Sequence, residues 1–228
     1  MIEYLFLDLD DTILDFHKAE RVAIAKTLDA FGAAPTDEVL SRYHAINKWH
    51  WEQLELGTMT RQQVLEGRFR MLFDELGLSA DPSAVTAAYA ENLSIGHWFL
   101  PGAEEALTEL HGKYRLFLAS NGTASVQKGR MTSANLYRFF EQVFVSQEIG
   151  HNKPSRAYFD ACFARIPGFD PQKALMVGDS LTSDIKGGIN AGIRTCWVNP
   201  SHAPANPEIP ADYEIETLAY LPRLLEEL

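Results

Sequence analysis

MIEYLFLDLDDT, residues 1–12, is the stretch on which the reading of the whole chain turns. Tyr4–Leu9 is almost continuously apolar, which suits a strand buried on both faces better than one with a wet side. The run closes on Asp8, Asp10, Asp11 and Thr12. In extended chain, residues two apart project to the same side, so Asp8 and Asp10 would stand together. Two carboxylates held that way in a buried place are costly unless a cation or a shared proton relieves them. The carboxyl ends of strands in open α/β sheets are also where ligands bind.

Outward from this strand, short β-rich runs recur at Arg115–Ala119, Gln142–Val145, Ala174–Val177, Arg194–Val198 and, more weakly, Tyr213–Ile215. Helical stretches such as Ser155–Ala164 and Asp184–Ala191 separate them, and this alternation implies a parallel sheet covered by helices on both faces. From about Phe16 to Trp98 the alternation stops and only amphipathic helical patterns appear. Thr36, Thr60 and Asp81 stand where helices would start, and Gly32, Gly57 and Gly77 where they would stop. Four antiparallel helices can close a small core of their own. Leu100-Pro101-Gly102 then turns the chain back into the sheet. Residues 1–15 plus 100–228 are thus expected to form a Rossmann-like catalytic core, with residues 16–99 as an inserted all-helical cap. Pro200–Pro210 reads as a surface loop.

Composition excludes several classes. The 228 residues are 46% hydrophobic, enough for a core without a metal or disulfide staple. Twenty Lys plus Arg against 31 Asp plus Glu give a charge of −11, which argues against binding to a nucleic-acid polymer. An anionic small molecule stays possible, because a few local groups can overrule the net field. Cys162 and Cys196 read as reduced core residues. The N-terminus has no basic leader and no run reaches the roughly 20 apolar residues of a membrane span, so a soluble cytoplasmic protein without a membrane partner is expected. Nothing in the sequence identifies a protein partner.

Three further polar segments fall at the ends of later strands. Ser120-Asn121-Gly122 offers a hydroxyl, an amide and a backbone that can approach an anion closely. Lys153-Pro154 supplies a compact cation suited to phosphate. Gly178-Asp179-Ser180, followed by Asp184, adds carboxylates that suit a hard divalent ion. Each taken singly is more simply a turn, a surface lysine or a helix cap. Their order, all at strand ends, is what makes them a set.

DLDDT, SNG, KP and GDSxxxD in that order resemble the four motifs of the haloacid dehalogenase superfamily of phosphohydrolases, and the helical insertion resembles that superfamily's cap. Asn47, Lys48 and Trp51 (NKxxW), Gly67-Arg68-Phe69 and the GDSLTSDIKGGINAGIRTCWVN stretch are similar to its bacterial pyrimidine 5′-nucleotidase branch. His151-Asn152 departs from the small residues common before the motif lysine.

The resemblance implies a phosphomonoester hydrolase acting on a small phosphorylated substrate, a pyrimidine nucleoside 5′-monophosphate. A sugar-phosphate phosphatase or phosphomutase is the alternative, with a 2-haloacid dehalogenase behind it. Asp8 would be the nucleophile and Asp10 the general acid–base, with Thr12 orienting their loop. Ser120, Asn121 and Lys153 would gather the phosphoryl charge. Magnesium, or manganese in its place, would be held by Asp8, the Asp10 backbone carbonyl and Asp179, supported from behind by Asp184 and Ser180. Asn47, Lys48, Trp51 and Arg68 are the cap residues expected to meet the substrate, alongside Trp49 and His50. Aromatic residues at helical spacing are more often cap core than substrate contacts. His97 and Trp98 would pack the hinge, His17 lies where a cap could close over it, and Arg130 and Arg138 are expected on a solvated helix face.

Overall fold

The computed structural model describes residues 1–228. Six parallel strands, β1 (Tyr4–Leu7), β2 (Arg115–Ser120), β3 (Gln142–Val145), β4 (Ala174–Gly178), β5 (Arg194–Val198) and β6 (Tyr213–Ile215), lie in the order β3-β2-β1-β4-β5-β6. The chain builds outward from β1 through β2 to β3, then returns to the other side of β1 with β4. That reversal is the switch point at which open α/β sheets bind ligands. Leu7 pairs with Leu118 on one side and with Val177 on the other, so the residues just beyond all three strands emerge at one level.

Burial on both faces explains the unbroken apolar run. Leu5 and Leu7 join Leu116, Leu118, Leu175 and Val177 on one face, against α5 (Ala103–Leu110), α6 (Ala124–Ser133) and α10 (Leu221–Glu226). Tyr4 and Phe6 point to the other face, with Phe117, Phe144 and Met176, against α7 (Ser146–Ile149) and α8 (Arg156–Phe163). Cys196 lies in the first cluster and Cys162 in the second, both unbridged. Phe6 is fully buried and stacks on Phe117, so its truncation to Ala would cost about 3–5 kcal/mol.

The inserted segment is all helix: α1 (Phe16–Ala30), α2 (Asp37–Glu55), α3 (Arg61–Glu75) and α4 (Pro82–Ser94). Thr36, Thr60 and Asp81 are the N-caps of α2, α3 and α4, each accepting a backbone N–H, and Thr60 with Gln63 forms a capping box. The bundle packs α1 against α4 and α2 against α3 around its own core, which includes Leu28, Tyr43, Phe69 and Tyr89. Two chain crossings join it to the sheet domain, and they run side by side. Leu14 bridges Phe99, Asp15 N–H donates to the Trp98 carbonyl, and Leu100 N–H donates to that of Ile13.

Two expectations shift in detail. β1 ends at Leu7 rather than Leu9, because the N–H groups of Ile13 and Leu14 fold back onto the Leu9 carbonyl and close a loop. The helix expected from Asp184 begins as a π-type turn over Leu181–Ile185 before α9 (Lys186–Ala191), a wider coil often found at functional sites. No helix is long and apolar enough to cross a membrane.

Candidate active site

Asp8 follows β1 directly and is 7% exposed. Lys153, 1% exposed, places its Nζ 2.6 Å from Asp8 Oδ1, 2.6 Å from Asp184 Oδ1 and 2.6 Å from the Ala119 carbonyl, so all three ammonium protons are used. Asp184 reaches this point because the π-type turn curls it back over the end of β4, where its Oδ2 accepts the Ser180 N–H at 3.1 Å. A side chain at position 178 would occupy the place of the Asp184 carboxylate, so a glycine is required there. Ser180 Oγ accepts the Ser183 N–H and caps the same turn.

Asp179 completes an acidic cluster: ligand oxygens of Asp8, Asp179 and Asp184 lie within 4.8 Å of one another. Thr12 Oγ1 donates to Asp179 Oδ1 at 3.5 Å, and Trp197 Nε1 donates to the Asp179 carbonyl. Burial, offset by Lys153 but reinforced by Asp184 and Asp10, pushes the Asp8 carboxyl up to about 8. Burial and the neighbouring carboxylates push Asp179 well above the usual carboxylate range. For Lys153, burial works toward the neutral form, but Asp184 and Asp8 outweigh it and raise the ammonium above its ordinary value. With all three carboxylates ionised, one ammonium leaves an excess of about two negative charges, and the raised carboxyls are the mark of that deficit of positive charge. An all-oxygen donor set with that deficit fits a hard divalent cation such as magnesium.

The loops after β2 and β3 are stitched together by Asn121. Its Nδ2 donates to the Lys153 carbonyl and to Ser183 Oγ, while its Oδ1 accepts the Lys153 N–H at 2.8 Å. The amide of Asn121 is thereby committed to framework. Ser120 Oγ accepts from Gly122 N–H at 3.1 Å and from Gln127 Nε2 at 2.8 Å. With both lone pairs occupied, the Ser120 hydroxyl is left as a donor.

Asp10 is placed by residues the sequence reading missed. Gln127 Nε2 donates to Asp10 Oδ2 at 2.7 Å, and Arg130 Nη1 donates to Asp10 Oδ1. Arg130 is 1% exposed, and its Nε donates to the Gly96 carbonyl at the cap hinge. The expectation of a solvated face for Arg130 is therefore wrong: α6 turns this residue inward beneath α4 and the ring of Phe16. A single arginine in the last turn of a mostly polar helix carries no local sign of such a partner. Arg138 behaves as expected, half-exposed and paired with Glu104.

A cavity of about 570 Å³ runs from this cluster up into the cap. Asn47, Lys48, Trp51 and Arg68 all line it, together with Asp8, Asp10, Ser120, Asn121, Lys153, Asp179, Ser180 and Asp184. Asn47 is buried between two partners, donating to Glu20 Oε1 at 2.6 Å and accepting from Arg68 Nη1 at 2.7 Å. Arg68 lies against the rings of Phe69 and Tyr89. Lys48 is exposed at the cavity wall, and His17 stands at the mouth beside Asp11. Two other cap aromatics lie elsewhere: Trp49 is exposed, and His50 is buried, bonded to the Ile46 carbonyl and packed on Gly67. His97 stacks on Trp98 at the hinge, with Lys18 over the indole.

Comparison with known proteins agrees with this geometry. Residues 2–192 match the family model of the haloacid dehalogenase-like hydrolases. The chain is 39% identical to the putative HAD-hydrolase YfnB of Bacillus subtilis, covering 97% of this chain and 94% of that protein. It is 37% identical to the pyrimidine 5′-nucleotidase PynA of Streptococcus pneumoniae, over 93% of this chain and 90% of that one. The crystal structure of YfnB bound to magnesium superposes with a TM-score of 0.94 at 38% identity, covering 98% of both chains. An L-2-haloacid dehalogenase from Xanthobacter autotrophicus shares the fold at a TM-score of 0.79 and 18% identity. The parallel sheet, the helical cap and the site at the switch point thus belong to a haloacid dehalogenase-like hydrolase, and the chain is a member of that family.

Proposed function

We propose that the enzyme hydrolyses pyrimidine nucleoside 5′-monophosphates through an aspartyl-phosphate formed on Asp8. The observation that carries this reading is the Asp8–Lys153–Asp184 cluster at the floor of a cavity whose far wall is built by the cap. The relatives PynA and YjjG, the latter from Escherichia coli and 29% identical over 98% of this chain, are both pyrimidine 5′-nucleotidases.

Asp8 would attack phosphorus while the bond to the 5′-oxygen breaks, and Asp10 would give the leaving oxygen its proton. Water would then attack the phosphorus of the acyl phosphate, returning its proton to Asp10 and freeing Asp8 and inorganic phosphate. Ser120 and Lys153 would stabilise charge on the phosphoryl oxygens, a term that dominates such reactions. Thr12 would steady the Asp8–Asp179 side of the site. Asp8 and Asp179 would hold magnesium together with the Asp10 backbone carbonyl, while Asp184 and Ser180 fix Lys153 and the turn behind. Bound there, the ion would screen the repulsion between a carboxylate and a phosphate dianion. An acid at position 10 serves an alkoxide leaving group, whereas a halide needs none, which favours phosphoester over carbon–halogen chemistry. In the cap, Arg68 and Asn47 would read the base and Trp51 and Lys48 would line its approach.

The test is phosphate release across nucleotides and sugar phosphates with magnesium. Pyrimidine monophosphates should be the fastest, and faster turnover of sugar phosphates overturns the substrate assignment. Asp8→Asn should abolish turnover without loss of fold; retained turnover removes Asp8 as nucleophile.

A further inference from the structure

Arg61 opens α3 in the cap, yet its guanidinium is bonded entirely to the sheet domain. Nη1 donates to the carbonyls of Asn121 at 3.0 Å and Gly122 at 3.1 Å. Nη2 donates to Ser146 Oγ and to Asn152 Oδ1, both at 2.7 Å. The Trp51 ring lies 5.6 Å away on the cap side. One cap residue thus joins the loop after β2, the start of the helix after β3 and the residue preceding Lys153. Asn152, where the sequence departs from the small residues usual before the motif lysine, is one of its acceptors.

The peptide group makes this more than an anchor. The Asn121 carbonyl and the Gly122 N–H belong to one planar trans unit and point in opposite directions. Arg61 holds the carbonyl end, and the N–H end donates to Ser120 Oγ. That bond fills a lone pair of the hydroxyl and leaves its proton free to face the cavity. On the other side, the bond to Asn152 steadies the residue before Lys153, whose own N–H is held by Asn121. Across the mouth, Glu55 at the end of α2 accepts from Thr182, so the α2–α3 corner straddles both banks of the site.

We propose that Arg61 is a positioning residue through which the cap, when seated on the sheet domain, sets the orientation of Ser120 and Lys153 for phosphoryl transfer. This rests on the phosphatase reading of the same site. Arg61 touches the framework of the loops rather than the substrate, so its loss lowers turnover of any phosphomonoester, with or without a base.

The test compares wild type, Arg61→Ala, Arg61→Lys and Asn152→Ala in magnesium, on thymidine 5′-monophosphate and on p-nitrophenyl phosphate. Arg61→Ala should lower kcat on both esters by about 100-fold, the scale of a small misplacement of reacting groups. Lysine, lacking the planar fork, should recover only part of that. Asn152→Ala should cost less, and the double variant no more than Arg61→Ala alone, because both remove one linkage. Amide exchange is followed in parallel without substrate: segments 119–124 and 151–155 should exchange faster in Arg61→Ala, with α1 and α4 unchanged. Loss confined to the nucleotide, with p-nitrophenyl phosphate turnover kept, would make Arg61 a base contact and overturn the proposal. Unchanged exchange in 119–124 would overturn it as well. If the wild type hydrolyses neither ester, the phosphatase reading fails, and the exchange data still decide whether Arg61 orders the loops.

Discussion

Lys153 Nζ stands 2.6 Å from Asp8 Oδ1, in a place where the lysine is 1% exposed. The same ammonium carries Asp184 and the Ala119 carbonyl. It therefore fixes the direction of the Asp8 carboxylate and the shape of the loop behind it, while leaving the cluster short of positive charge.

Removing that ammonium should be severe for stability as well as for turnover. Lys153→Ala strands two buried carboxylates, and breaking such a pair costs about 3–5 kcal/mol. For a chain of this size that lowers Tm by about 6–20 °C. Thermal unfolding in metal-free buffer measures it; an unchanged Tm would mean the ion pairs contribute nothing to the fold.

Magnesium affinity should rise with pH. The proton on Asp8, whose carboxyl is pushed up to about 8 by burial, competes with the cation, so each binding event below that pH releases protons. The sign for stability follows from the raised value: Asp8 contributes most below its ordinary 3.8, and that contribution is lost as pH rises toward about 8. At one fixed magnesium concentration, about a hundredfold above the Kd at pH 8.5, Tm should rise by roughly 5–10 °C at pH 8.5 and by less at pH 6. Asp179→Asn should erase most of the gain.

Arg130→Gln should reduce kcat by tenfold or more. It withdraws the charge that orients Asp10 and the donor that satisfies the Gly96 carbonyl at the hinge. An Asp10 side chain that is partly open to the cavity softens the stability cost to about 2–3 kcal/mol, below that of a fully buried pair and on the scale of a hydrogen bond to a charged group. Steady-state kinetics with thermal unfolding separate the two effects, and unaltered kcat would show that Gln127 alone positions Asp10.

His44 offers a pH-dependent contribution away from the acidic cluster. Its Nδ1 lies 2.6 Å from Glu20 Oε2, and this bond raises the imidazole above its usual 6.5 against a smaller effect of burial. A raised histidine stabilises fully below 6.5 and loses that contribution as pH climbs through the raised value. Because the side chain is 39% exposed, the effect stays below about 1 kcal/mol. His44→Gln should lower Tm by a few degrees at pH 5.5 and leave it nearly unchanged at pH 9; equal losses at both would refute the pairing.

Much of this was legible locally. Continuous apolar strands, a threonine or aspartate before each of α2, α3 and α4, and glycines at helix ends act over a few residues, so their meaning survives without the rest of the chain. The acidic and polar turns at strand ends were equally visible, since strand ends in a parallel sheet converge by topology alone. The cap residues Asn47, Lys48, Trp51 and Arg68, expected to meet the substrate, all line the cavity.

What the chain order could not reveal were the partners. Lys153 meets Asp8 across 145 residues, Arg130 meets Asp10 across 120, and Arg61 reaches Asn152 across 91. Arg130 and Arg61 are each one charge on a helix, indistinguishable in sequence from a solvated one. Their roles depend on which surface the helix is pressed against, and long-range packing sets that surface. Residue types and their order determined the fold and the chemistry available, and the tertiary structure decided which charges those carboxylates and loops would face.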